Sequence, residues 1–288
     1  MCRALKVEPV CFYRWVKGSD QRQKRNEERE ALADKVEQTF QSSKATYGRR
    51  RIYHALRRLG LVVNIKTIGQ ILKRKGLRAK AGKKYTATTK SSHKHPVAEN
   101  ILNRDFKAAA PNQKWASDIT YVWTLEGWLY VAVFIDLFNR KVVGWSMGNR
   151  ITSELVCDAF DMAYKRRTPS SVVICHSDRG SQYAANEFQK LLKNADFVCS
   201  MSRKGNCWDN AVVESFFGSF KTEVVHGNLF RTRNEARKTI FEWIEATYNQ
   251  TRIHSSLRYL SPDEYEAEFY SSVDLKVDSA SATNQNTT

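Results

Sequence analysis

Lys114-Trp115-Ala116-Ser117-Asp118-Ile119-Thr120-Tyr121-Val122 reads as a β-strand, and the runs after it decide the fold. Trp128–Leu137 and Lys141–Met147 follow as two further strands, joined to each other through a polar turn at Asn139-Arg140. Short apolar runs this close together predict antiparallel pairing. The texture then alternates: a helix over Ile151–Lys165 with Leu155, Phe160 and Ala163 among its apolar positions, a strand over 171–176, a helix over 184–194, and a strand over Phe197–Met201. A helix from about Ala211 follows a polar loop in which Asp209 or Asn210 can serve as cap. A further amphipathic helix, about 233–249, carries Ala236, Ile240, Trp243 and Ile244. This order predicts an α/β domain: a mixed five-stranded sheet with flanking helices.

Three acids fall at telling places in that frame. Asp118 lies within the first strand, Asp178 follows the run Val172–Ser177, and Glu214 rides the helix that carries Lys221 nearly two turns further on. Carboxylate oxygens suit magnesium, and two such ions can clamp the attacking and leaving oxygens of a phosphoryl transfer. Spacing alone does not argue for this: among 30 acidic residues in 288, roughly two or three pairs fall 36 positions apart by chance. The competing reading is an ordinary strand acid, a turn former and a solvated helix face. Asp178 stands at a strand end before the loop Arg179-Gly180-Ser181-Gln182-Tyr183, where ligand sites gather.

Five ordered blocks carry a resemblance. Ser117-Asp118-Ile119-Thr120-Tyr121, Phe134-Ile135-Asp136-Leu137-Phe138-Asn139-Arg140 and His176-Ser177-Asp178-Arg179-Gly180-Ser181-Gln182-Tyr183 come first. Gly205-Asn206-Cys207-Trp208-Asp209-Asn210-Ala211, with Glu214-Ser215-Phe216-Phe217 and Lys221, is the fourth. Tyr248-Asn249-Gln250-Thr251-Arg252-Ile253-His254-Ser255-Ser256-Leu257 is the fifth. Together, over about residues 43 to 266, they resemble the integrase-like core of bacterial insertion-sequence transposases, in detail the second-reading-frame product of two-frame elements, related to retroviral integrases. The resemblance implies a ribonuclease-H-like fold, with Asp118, Asp178 and Glu214 as the catalytic, metal-binding triad for two magnesium (or manganese) ions. It implies that Lys221 faces DNA near the active site. It also implies a transposase that cleaves one strand at an element end and joins the freed 3′ hydroxyl to another phosphodiester, with no covalent intermediate on the protein. The chain departs from the family at Arg258, where Gly usually follows the His-Ser-Ser-Leu block.

Composition points to the same class of partner. The formal charge is +17, and between Glu37 and Glu99 there is no acid but there are 16 Lys plus Arg. Within that stretch Ile52, Ala55, Leu56 and Leu59 form one helical stripe that Gly60 ends. Asn64 is placed to cap a second helix bearing Ile65, Ile68 and Leu72, and Gly76 ends it. Two helices about a tight turn predict a helix-turn-helix. Lys66, Gln70, Lys73 and Arg74 on the second helix, with Arg49 and Arg50 at the start of the first, are its candidate DNA contacts. A packing unit with solvated cations is the alternative.

The organisation expected is an N-terminal helical segment 1–42 whose residues 18–40 form an exposed connecting helix, a basic helix-turn-helix domain 43–98 and a linker 99–110. A catalytic core 111–232, a C-terminal helical extension 233–270 and a disordered Ser-, Thr-, Asn- and Asp-rich tail 271–288 complete it. The pattern ending Cys11-Phe12-Tyr13-Arg14-Trp15 reads as the remnant of a unit begun in an upstream frame. Six cysteines without C-x-x-C spacing, no signal peptide and no long apolar run predict a bacterial cytoplasmic, nucleoid-associated protein with no membrane partner. Expected partners are double-stranded DNA (terminal inverted repeats and target), further copies of the chain on that DNA, and an upstream-frame product or fusion. His176 and Asp136 are secondary candidates with structural alternatives, and Trp208 and Tyr183 are candidates to stack on unpaired bases. A catalytically dead DNA-binding regulator and a purely hydrolytic ribonuclease-H-type nuclease are the rival functions.

Overall fold

Between residues 127 and 136 only the first few side chains are not buried, because both faces of this strand are covered. In the computed structural model, which describes residues 2, 6–80, 96–204 and 206–284, it is β2 (Gly127–Asp136) of a five-stranded sheet. β1 (Lys114–Thr124) and β3 (Val142–Gly148) pair with it antiparallel. β4 (Val173–Ser177) joins β1 in parallel and β5 (Phe197–Met201) joins β4 in parallel, giving the order β3-β2-β1-β4-β5. The predicted mixed sheet is present, and its strands lie close to the expected ranges.

Two cores form on its two faces. On one, Trp115, Phe134 and Val143 pack under α5 (Ser153–Arg167), α6 (Ser181–Ala184) and α7 (Asn186–Asn194). Gly144 lets α5 settle directly on β3: a Cβ there would stand 2.3 Å from the Ala159 carbonyl oxygen and 2.6 Å from the Ala163 amide nitrogen. On the other face, Val122, Val131 and Val133 pack with α8 (Ala211–Phe220), α9 (Arg233–Glu242) and the π-helical turns that continue each of them, Lys221–Val225 and Trp243–Asn249. The segment after residue 232 is therefore part of the same core. Asn249 both accepts from the Val142 amide and donates to the Val142 carbonyl, each at 3.0 Å, closing that stretch of the β3 edge. Arg252 is buried against Glu223 at 2.8 Å and Ser219 at 2.9 Å.

Several expectations need correction. The linker expected at 99–110 is a strap: Leu102 is buried, its amide donates to Ser200 Oγ at 3.0 Å, and Asn100 and Arg104 both reach Asp209. The tail expected to be disordered is helical through Asn284 in α10 (Pro262–Asn284), since no Gly or Pro after Pro262 interrupts it; residues 285–288 of that expectation lie outside the described residues. Arg258 adopts the left-handed conformation that Gly favours (φ 55°), and its guanidinium is held by Glu268 and lies over the Tyr265 ring.

Residues 1–81 form a separate compact unit. α1 (Pro9–Lys17) buries nothing. α2 (Ser19–Ser42) is not the exposed connector expected: Ala33, Val36 and Phe40 recur at helical spacing and are buried with Ile52, Leu56, Ile68, Ile71 and Leu72 of α3 (Arg49–Arg58) and α4 (Ile65–Arg74). α2 thus completes the helix-turn-helix core, and the expected division at residue 42 runs through one hydrophobic cluster. Leu59 leaves the predicted stripe and is 73% exposed, because α3 ends at Arg58; Gly60 (φ +78°) turns the chain so that Leu61 packs instead. Asn64 caps α4 as predicted, accepting from the Lys66 amide at 2.8 Å. Residues 81–95 of the predicted basic domain lie outside the described residues. No described helix is long and apolar enough to cross a membrane.

Candidate active site

The β1–β4 register brings the first two acids together. Ala116 pairs with His176, so a step of two residues along each parallel strand sets Asp118 across from Asp178, just past the end of β4. Asp118 Oδ1 accepts from the Ile119 amide at 2.7 Å and Asp178 Oδ1 from the Gly180 amide at 2.8 Å. Gly180 keeps this turn close: a Cβ there would lie 2.7 Å from Gln182 Oε1 and 3.0 Å from that carboxylate oxygen. Glu214 sits in the first turn of α8, which packs against β1, and Asn210 at the head of that helix donates to the Ser117 carbonyl at 3.4 Å.

Burial, and then the charges of Asp178 and Glu214, push the Asp118 carboxyl well above the usual carboxylate range, against the Ile119 amide. Burial also raises Glu214. Asp118, whose charge Asp178 and Glu214 disfavour, forms with them a donor set suited to a hard divalent cation. Among the described residues no three His, Cys, Asp or Glu side chains close into a ready-made cage; Asp118 and Asp178 are each turned onto a neighbouring backbone amide. Sequence spacing is blind to such side-chain directions.

The loop before α8 is pinned by Asp209, whose fully buried carboxylate accepts from Arg203 through its amide, Nε and Nη2, from Arg104 Nε and from Asn100 Nδ2, all between 2.8 and 2.9 Å. Sequence reasoning offered Asp209 only as a cap. Its partner Arg104 is a hundred positions away, and no local pattern connects the two.

His176 is structural. Ser202 Oγ gives its proton to the Ser177 carbonyl and so accepts from Nε2–H at 3.1 Å, which leaves Nδ1 of the neutral ring to accept from Ser200 Oγ at 2.9 Å, itself an acceptor for the Leu102 amide. The ring is buried and neutral, with burial lowering its pKa to about 4. Asp136 caps the turn after β2, accepting from Phe138 and Asn112. Tyr183 is 1% exposed, with its hydroxyl 2.8 Å from Ser117 Oγ, so it cannot stack on bases; Trp208, 69% exposed, remains open.

Lys221, expected to face DNA near the active site, reaches the β1 backbone. It is half-buried, its ammonium donates to the Tyr121 carbonyl of β1 and lies 4.6 Å from the Tyr121 ring centre, and burial lowers its pKa to about 8. In the N-terminal unit Arg49, Arg50, Lys66, Gln70, Lys73 and Arg74 are all exposed. Gly69 seats the Arg49 side chain, 3.8 Å from where a Cβ would be, so Arg49 joins the α4 face of Lys66, Gln70 and Lys73. The acid-free stretch is nevertheless compensated in space. Glu30 of α2 holds Arg74 at 3.1 Å, and Asp34 and Glu37 hold Lys75 at 2.9 and 2.6 Å.

Comparison with known proteins agrees with this architecture. The family description "Integrase core domain" matches residues 108–207, a second of the same description matches 196–262, and an "HTH-like domain" matches 27–85. Transposase InsF for insertion sequence IS3A of Escherichia coli (strain K12) is 46% identical over 266 residues, 92% of each chain. The insertion element IS600 uncharacterized 31 kDa protein of Shigella sonnei is 40% identical over 270 residues, 94% of this chain and 98% of its own. Among solved structures, the HTLV-2 integrase catalytic core domain in complex with magnesium aligns at 19% identity over 55% of this chain and 98% of its own, with a TM-score of 0.40. With a transposase so similar along nine-tenths of both chains and an integrase core matched across the sheet and α8, the chain belongs to the insertion-sequence transposases of the retroviral integrase superfamily, polynucleotidyl transferases of DNA transposition.

Proposed function

We propose that Asp118, Asp178 and Glu214 are the catalytic carboxylates of this transposase and together hold two divalent cations, magnesium or manganese. The observation that carries the reading is the parallel register that sets Asp118 opposite Asp178, with Glu214 close enough to raise the Asp118 carboxyl. When bound, the cations supply charge compensation and Lewis acidity at the phosphodiester. The chain's own part is to fix the donors: Gly180 holds Asp178 and the Asp209 knot fixes the loop ahead of Glu214. No side-chain nucleophile is needed, and Tyr183, buried on Ser117, is not one. Lys221 adds positive charge on the Glu214 side of β1, where a DNA backbone would lie.

The substrate DNA is proposed to be the element's terminal inverted repeats and a target duplex. The α4 face of Lys66, Gln70 and Lys73, with Arg49 and Arg50, would contact the duplex; Arg74, held by Glu30, contributes less. Assembly as a homo-oligomer on DNA, alone or with an upstream-frame product or fusion, in the bacterial cytoplasm at the nucleoid, completes the proposal. The division into a DNA-binding unit ahead of residue 82 and a catalytic unit after it follows the two compact units.

The test is Asp118→Asn, Asp178→Asn and Glu214→Gln, each assayed for metal-dependent end cleavage and strand transfer on oligonucleotides, with duplex binding as control. Each should abolish both reactions and keep binding. Near-normal joining by any one variant excludes that residue.

A further inference from the structure

We infer that the hairpin between β1 and β2 is a docking surface for unpaired DNA, with Trp123 and Trp128 stacking on bases of a strand that leaves the active site. The inference rests on the catalytic reading above for its direction, though not for its chemistry.

Trp123 and Trp128 are register partners across the two strands and remain 51% and 42% exposed, with Leu125 in the turn at 62%. Their ring centroids stand 4.7 Å apart at 72°, and Tyr121 meets Trp128 at 5.0 Å and 83°. In T-shaped contacts an edge covers only part of a face, so broad indole surface stays open. The hairpin presenting these rings is tied down. Thr124 Oγ1 donates to the Gly127 carbonyl at 2.7 Å, the Leu125 amide to the Phe230 carbonyl at 3.0 Å, and Arg233 Nε to the Trp128 carbonyl at 3.1 Å. A fixed cluster of exposed aromatic rings marks a contact surface.

The surrounding charge selects the partner. The Lys221 ammonium lies by Tyr121, the Arg233 guanidinium lies close over Gly127, and exposed Arg150 follows Gly148, the register partner of Tyr130. Glu126, the acid in the turn, accepts from the Arg233 amide at 2.8 Å. Aromatic faces interleaved with cations are the chemistry of single-strand binding.

Position supplies the path. Asp118 and Trp123 share β1 and lie five residues apart, about 17 Å at ~3.4 Å per residue. Paired contact with β4 ends at Ala116, so β1 continues toward the hairpin with that edge unpaired by β4. Side chains at 121 and 123 point to the face opposite Asp118, and Lys221, rising from the α8 side to the Tyr121 carbonyl, marks where a strand would cross that edge.

The test uses the full chain without divalent metal and follows the binding of a labelled short oligo(dT) strand and of a blunt duplex. Trp123→Ala/Trp128→Ala should weaken oligo(dT) binding about tenfold or more and leave duplex binding within about twofold; Trp123→Phe/Trp128→Phe should keep most of it. Bromouridine-substituted oligo(dT), photo-crosslinked to the unaltered chain, should label the 121–130 segment, which tests the inference even if the Ala variant fails to fold. Undiminished oligo(dT) binding in the Ala variant, or crosslinks only elsewhere, overturns it. So does a change in assembly size with oligo(dT) binding intact, which would assign the patch to another copy of the chain. Because no metal is present, the result is independent of whether Asp118→Asn retains cleavage, the outcome that would sink the catalytic reading.

Discussion

Replacing Asp209 by Ala removes one carboxylate and strands five donors. Breaking a buried ion pair usually costs about 3–5 kcal/mol because the partner is left uncompensated. Here Arg203 and Arg104 are 47% and 45% exposed and recover much of their hydration, so only the buried side of the interaction is lost outright. The expected loss is about 2–3 kcal/mol, and Asp209→Asn, which keeps the volume and some of the bonds, should lose about half of that. Urea unfolding of the full chain, with the midpoint read at constant slope, measures both. A loss below about 0.5 kcal/mol in the Ala variant would refute the claim that this knot holds the loop.

The same residue makes a pH prediction. The Arg203 side chain above all, with its amide and Arg104, holds the Asp209 carboxyl well below the usual range despite burial. A depressed folded pKa contributes stability above the unfolded value near 3.9, and that contribution is lost as pH falls through the folded value. Below about pH 4 the wild-type chain should therefore lose its advantage over Asp209→Asn progressively. A constant difference between them down to the acid transition would show that the charge is not what matters.

Three further outcomes are expected. Lys73→Ala should flatten the salt dependence of duplex binding by about one unit of log affinity per log salt, and Arg74→Ala by less, since Glu30 already holds it; equal slopes for the two variants would contradict the α2 compensation. Gly144→Ala should cost about 3 kcal/mol or more, because the nearest atoms are backbone of α5 and the Ala163 Cβ fixed to it, none of which can swing aside; a thermal midpoint unchanged from wild type would rule out that packing. Lys221→Ala should impair strand transfer. In wild type, transfer should fall as pH rises through about 8, where the buried ammonium loses its charge, and in Lys221→Arg this limb should vanish; identical alkaline profiles would remove Lys221 from the reaction.

Much of this protein is local in its causes and was legible as such. The strands, α5 and the Asn64 cap follow from apolar period and capping chemistry within a few residues. The family blocks named the acids, but nothing in a spacing of 60 positions could bring Asp118 to Asp178: that required the parallel pairing of two strands separated by β2, β3 and α5. Charge misled for the same reason. The stretch after Glu37 contains no acid along the chain, yet α2 lays Glu30, Asp34 and Glu37 against its cations, because Ala33, Val36 and Phe40 bury their own face in the helix-turn-helix core. Asp209, a cap candidate in sequence, anchors the loop ahead of α8 through Arg203 six positions away and through Arg104, which only the strap brings across it. Period and capping act over one turn or one pleat, so sequence determines elements; burial and electrostatics act through space, so only the packed chain decides which charges meet.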